Sequence, residues 1–496
     1  MNPRTTLALL ILVSALGGYV YYFELGKAAR EVDAEAASRQ LFKLEPEQVT
    51  EIELPLEEGG SARLVRANAG ADWRIVAPLE TGADRETADA LLAALAELRY
   101  TLPIPNPGKL EDFGLAEGGA RVRVSTPSGV VASFGIGNDS TPTNLTYISA
   151  EGERAGVYGI DRAKRATLVP ALYRLRDKRL LVPDAAAVRG VKVSADGALL
   201  VAARRAPPVA SSPQPGAAAG EPATPEATWR IEQPLQDEAD GARLQRLLED
   251  FTLARASSFV DEPGDLAEYG LAKPALLVEL ETESGATQLA IGKQDVKIFA
   301  RVDAGPVLQM RSRLYEDVPK SLFEYREKRV LNVDESAVQG VELAYPREGE
   351  TYRFKREGET WKPEQPIEVD PTKLEDVLFR LAALEATGIE DGQPDRAALG
   401  LEPPAARVSL SGADGKELAR LDLGTPAPGL GVPAVASTST RVWRVVNDLG
   451  EDIPLTLEAF RNSWLKPAGA PETAGEDPVS GAEAAPEGGA VPAEPR

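Results

Sequence analysis

The chain has no cysteine and no histidine among its 496 residues. Without cysteine there can be no disulfide, thiolate nucleophile, cysteine-ligated zinc or lipobox acylation. Without histidine there is no Ser-His-Asp triad, no imidazole base and no ordinary ligand set for a transition metal. Carboxylates, Lys, Tyr, Ser and Thr remain for chemistry. An oxygen-only Ca²⁺ or Mg²⁺ site would need only these, but no D-x-D-x-D-G loop is present. The sequence therefore predicts no catalytic residue, no cofactor and no metal, and a protein that is not an enzyme.

Positive charge is also in deficit, with 55 Lys and Arg against 77 Asp and Glu, a net charge of -22. A chain so acidic is repelled by phosphate backbones, which excludes nucleic acid as the expected partner. The acidity is spread along the chain and reads as solubility and self-repulsion. A hydrophobic fraction of 43% fits globular folding, and the length is too great for one core, predicting about three domains.

Long apolar runs are absent except at the start. Residues 5–23 (TTLALLILVSALGGYVYYF) carry no charge, and as a helix they would span about 28 Å, close to a bilayer core. Tyr19, Tyr21, Tyr22 and Phe23 gather at one end, where such rings favour the interface. A cleaved signal peptide is the rival reading, but no small-x-small site follows the run directly. The expectation is an uncleaved anchor: residues 1–4 in the cytoplasm, one span, and the bulk of the chain in the periplasm of a bacterial cell. Residues 24–45, charged and Ala-rich, read as a short helical stalk.

Behind the stalk one pattern recurs three times. A Trp leads a strand ending in proline: DWRIVAP at Trp73, TWRIEQP at Trp229, TWKPEQP at Trp361. Then comes a triplet, Phe113-Gly114-Leu115, Tyr269-Gly270-Leu271 and Leu399-Gly400-Leu401, and then an apolar strand ending at Gly137, Gly292 or Gly424. The spacing is nearly constant, and the openings (VTEIEL, VRGVKV, VQGVEL) and endings (LYRLRDKRLL, LFEYREKRVL, LEAFRNSWL) also match. Copies are expected at 46–186, 187–336 and 337–466. A Pro/Ala insertion at 206–227 and a disordered tail at 467–496 fall outside the pattern.

Within each copy, period-two segments joined by Gly-containing turns predict antiparallel hairpins. A helix follows the Trp strand, with Leu374, Val377, Leu378 and Leu381 on one face in the third copy, after Asp370 as cap and Pro371 as first residue. A second helix is expected to close each copy, its Arg and Lys endings offsetting the carbonyl end. The fold class expected is α+β: three tandem, mainly antiparallel sheets with two helices each, behind one transmembrane helix.

These landmarks resemble a bacterial family described as domain of unknown function 4340. The second copy is most similar, through TWRIEQP, DLAEYGLAKPALLVELETESGATQLAIG and KSLFEYREKRVL. The resemblance implies a single-pass envelope protein encoded beside transporters of the gliding-motility ABC type. It implies an accessory or scaffold role with protein partners such as ABC transporter subunits, and supplies no catalytic residues. Two alternatives stand: a glycan- or peptidoglycan-binding module, which would need exposed aromatics, and a hydrolase working through two carboxylates.

The copies differ most just after the glycine landmark: NDSTPTNLTYI, KQDVKIFARV and TPAPGLGVPAV. Loops carry function where cores carry packing. Partner contacts are therefore expected at Asp139, Ser140, Thr141 and Asn144, and at Pro426, Pro428, Leu430 and Pro433.

Overall fold

The computed structural model describes residues 37–206 and 228–465, apart from positions 117, 312 and 371. The expected anchor at 5–23, the first part of the stalk, the body of the insertion, the tail and Pro371 lie outside the described residues. Among the described residues, no helix is long and apolar enough to cross a membrane.

In the first copy the alternation of the opening segment becomes a strand, β1 (Glu51–Pro55), with Ile52 and Leu54 turned inward and fully buried. Glu51 and Glu53 point the other way and meet Arg63 and Arg123 on the neighbouring strands at 2.9 and 3.5 Å. The chain continues through β2 (Ser61–Val65), β3 (Arg74–Ala77) and β4 (Thr81–Gly82). It crosses in a helix, α1 (Arg85–Ala96), to β5 (Leu102–Ile104). It then runs through β6 (Arg121–Thr126), β7 (Gly129–Ser140), β8 (Leu145–Ala150) and β9 (Gly156–Asp161). The resulting nine-stranded sheet has the order β4-β3-β2-β1-β6-β7-β8-β9-β5. Its pairings are antiparallel.

A second nine-stranded sheet repeats this order, and a third repeats it with eight strands. The chain is thus a tandem array of α+β copies. By compactness it divides into two units. The first runs to Arg204 and includes Glu232–Pro234 and Ala242–Lys320; the second includes Leu235–Gly241 and the chain from Ser321.

Each sheet carries one long helix on its inner face. In α1, Asp84 caps the first turn by accepting from the Thr87 amide at 2.9 Å, and Ala88, Leu91, Leu92 and Leu95 are buried. The counterparts are α2 (Gly241–Leu253), burying Leu244, Leu247, Leu248 and Phe251, and α3 (Thr372–Ala382), burying the four residues expected. Asp370 accepts from the Thr372 amide at 3.0 Å, as a cap should. Burying each such leucine contributes about 1.5–3 kcal/mol.

Two expectations need correction. Residues 40–45 are not helical. Leu41 and Phe42 are buried in the first core, where Phe42 stacks on Phe134 at 5.4 Å. Apolar side chains within reach of a core override the helix preference of an Ala-rich segment. The closing helices are also shorter than expected in two copies: Leu172–Leu175 and Leu322–Tyr325 are single turns, and only Leu457–Ser463 is longer. That longer helix buries Phe460 and Trp464 in an aromatic cluster with Tyr345 and Tyr352. Burial pushes the Tyr345 hydroxyl far above the usual phenol range, and it donates to the Pro454 carbonyl at 3.2 Å.

Candidate functional site

The most regular landmarks serve packing. Gly114, Gly270 and Gly400 end their turns in the left-handed region, with φ of 70°, 66° and 72°. That turn lays the preceding carbonyl (Phe113, Tyr269 or Leu399) directly against Gly137, Gly292 or Gly424, where a Cβ would collide with it. Trp73, Trp229 and Trp361 are 1–3% exposed. Each carries an arginine over its ring: Arg66 at 4.6 Å, Arg205 at 5.1 Å and Arg356 at 5.8 Å. The exposed platforms that a glycan-binding module would need are not supplied by these tryptophans.

The closing arginines were expected to neutralise a helix end, and here the structure divides the labour. Lys178 and Lys328 do reach back to helix carbonyls, at 3.1 Å from Arg174 O and 3.2 Å from Glu324 O. They also approach Asp84, the cap of α1, and Asp240, the residue before α2, at 3.6 and 3.5 Å. Arg176 instead crosses to the following copy. Its side chain is 4% exposed and meets both oxygens of Asp261 at 2.9 and 2.8 Å while lying over the Phe259 ring. Arg326 meets Asp391 at 2.8 Å and Asp237 at 2.5 Å, and Asp237 also pairs with Arg441.

These clamps have a positional logic. Asp261 and Asp391 each stand eight residues before their triplet, where the first copy has Pro105. Ala83 and Ala239 form bridges with Arg176 and Arg326, and the matching bridge in the last copy joins Val369 to Leu465. The last copy thus has a leucine where the others carry the clamp arginine.

The segment after the glycine landmark faces, in every copy, the stretch that follows the strand equivalent to β9. In the first copy this place is closed. Asp139 accepts from Thr146 at 2.7 Å and pairs with Arg162 and Arg165 at 3.4 and 3.5 Å, and Arg165 donates to the Gly137 carbonyl at 2.6 Å. In the second copy it is an open cleft of about 590 Å³ between Val296–Ile298 on one side and Gln309–Met310, Arg311, Arg313 and Glu316 on the other. In the third it is a groove of about 460 Å³ beside Gly429–Gly431, Ile389, Arg444 and Asp448.

The expected contact residues are distributed unevenly around these places. Asp139 and Ser140 end β7 rather than lying in a loop, and Asp139 is engaged internally. Thr141 and Asn144 form the exposed turn, Asn144 with a φ of 53°. Pro426 and Pro428 are exposed, and Leu430, 62% exposed, lines the third-copy groove. Pro433 is a correction: it lies buried in the strand Val432–Ala436, so it presents no contact surface. Arg311, Arg313 and Lys297 were missed. Lys297 lies five residues after Gly292 but Arg311 and Arg313 lie 19 and 21 after it, so only the fold brings them together.

The two carboxylates of the third-copy groove are both held by arginine, Glu390 by Arg444 at 2.6 Å and Asp448 by Arg380 at 2.7 Å. Among the described residues, no group of three or more acidic side chains is placed to hold a metal ion.

The model of one protein family, described as Domain of unknown function (DUF4340), matches residues 73–227 and again 229–396. Both matches open at or beside a landmark tryptophan. No curated protein matches the chain.

Proposed function

The chain belongs to the domain of unknown function 4340 family, and from that premise we propose that it is a non-enzymatic scaffold or accessory protein of the bacterial envelope. In this reading residues 5–23 hold it to the cytoplasmic membrane, the copies stand in the periplasm, and they serve a transporter of the gliding-motility ABC type. The supporting observation is that the copies share an interior and differ in the cleft beside the glycine landmark. A scaffold needs a fixed frame with non-identical contact points; an enzyme would need a converging set of reactive groups. The clamp from Arg176 to Asp261 supplies such a frame in the first compact unit.

The test is photo-crosslinking from Thr141, Val296 and Leu430 in intact membranes, followed by mass spectrometry of the captured proteins. The expected result is an ABC transporter subunit captured from at least one position. Recovery of no transporter component from any of them would overturn the proposal.

A further inference from the structure

We propose that the second-copy cleft is a binding site for a phosphate ester. This goes beyond the scaffold reading and does not depend on it. The cleft is lined by three cations, Lys297, Arg311 and Arg313, against one carboxylate, Glu316. None of the three cations has an ion-pair partner among the described residues. Other arginines of the chain, among them Arg63, Arg123, Arg176, Arg326, Arg407 and Arg444, meet carboxylates.

The comparison among copies sharpens the point. At the same place in the first copy the chain supplies its own anion, Asp139, to Arg162 and Arg165. In the second copy the arginines follow the equivalent strand at Arg311 and Arg313, but Gln294 stands two residues after Gly292 where Asp139 stands two after Gly137, and Val296 and Lys297 line the cleft from the facing hairpin. The cleft therefore sets three cations against the single carboxylate of Glu316. Guanidinium groups suit phosphate oxygens through paired N–H donors, and Gln309 adds a neutral amide to the lining. The volume of about 590 Å³ admits a phosphate with a glycerol-sized substituent.

The net charge of -22 repels polyanions over long range, but screening confines that repulsion to about 8–10 Å in physiological salt. A compact anion inside the cleft meets the local cations first. Two sources present this chemistry: a soluble phosphate monoester and the headgroup of an anionic phospholipid. Val296, 94% exposed at the hairpin tip beside the cleft, is placed to touch acyl chains in the second case.

The experiment is calorimetric titration of the purified full chain with sn-glycerol 3-phosphate, with short-chain phosphatidylglycerol and with short-chain phosphatidylcholine. Saturable binding of glycerol phosphate alone assigns the soluble source; binding of phosphatidylglycerol, weakened by Val296→Ser, assigns the headgroup. In either case the double variant R311Q/R313Q should bind at least tenfold more weakly with an unchanged melting temperature, and K416Q, an exposed charge loss elsewhere, should bind normally. Three results would overturn the proposal: no saturable binding of any probe, equal binding of phosphatidylcholine and phosphatidylglycerol, or undiminished binding by the double variant.

Discussion

Arg176 and Asp261, 85 residues apart, meet through two parallel hydrogen bonds of 2.9 and 2.8 Å. The two ends of this contact are unequal in burial: the arginine side chain is 4% exposed and the aspartate 43%. An isolated buried charge is far more costly than an isolated hydrated one. Removing the carboxylate should therefore be worse than removing the guanidinium. Asp261→Asn is expected to destabilise by about 2–3 kcal/mol, and Arg176→Met, which keeps apolar contact with Phe259, by about 1 kcal/mol or less. Hydrogen exchange in the strand Ala256–Val260 measures both. Equal losses, or a larger loss for the arginine variant, would refute this account of the clamp.

Much of the fold was legible because two periods dominate the sequence. Leu374, Val377, Leu378 and Leu381 recur at helical spacing and are buried along α3, while Ile52 and Leu54 alternate with Glu51 and Glu53 in β1. The clamps were not legible in the same way. Arg176 and Asp261 belong to different copies, so no local pattern relates them, and an arginine after a helical turn reads first as a dipole partner. Leu41 and Phe42 were misplaced for a similar reason: what fixes them is Phe134, far along the chain. The clefts were legible only as disagreement among copies. Which one would be open depended on Asp139, whose bonds to Arg162 and Arg165 are a tertiary fact.

The glycine landmarks make a steric prediction. At Gly137, Gly292 and Gly424 an added Cβ would strike a backbone carbonyl, which cannot rotate away as a side chain can. Gly292→Ala should cost about 1–3 kcal/mol or more, in the range of overpacked cores. Gly197→Ala meets open space at a φ of 82° and carries backbone strain alone, of about 1–2 kcal/mol. Urea unfolding of the two variants separates the mechanisms: G292A should also loosen the turn at Leu266–Tyr269 in hydrogen exchange, and G197A should leave that turn unchanged.

Acid should weaken the first copy through Asp84. Burial opposes ionisation of this carboxyl, but the hydroxyl and amide of Thr87 and the ammonium of Lys178 outweigh it and hold the pKa below the usual aspartate value. A group with a lowered folded pKa stabilises the fold above its unfolded pKa, about 3.9, and that contribution is lost as pH falls through the folded value. The stability of the first copy should therefore decline below about pH 4, and part of that slope should vanish in Asp84→Asn, which still caps the helix but cannot titrate. Thermal melting followed by exchange in Arg85–Ala96 between about pH 3 and pH 6 reads the difference. An identical pH slope in the variant would show that Asp84 contributes nothing to it.

The segments after the glycine landmark should respond in opposite ways in the first and third copies. Asp139 is built into its copy: it accepts from Thr146, which is fully buried, and pairs with two arginines. Asp139→Ala leaves a buried hydroxyl without its acceptor and should cost about 1–3 kcal/mol. Leu430 is 62% exposed on the rim of its groove. Its removal forfeits little packing, so Leu430→Ser should change stability by less than about 0.5 kcal/mol. If that rim is a partner surface, the same silent substitution should reduce photo-crosslinked capture of protein from membranes severalfold. A variant with native stability and native capture would remove Leu430 from the contact surface.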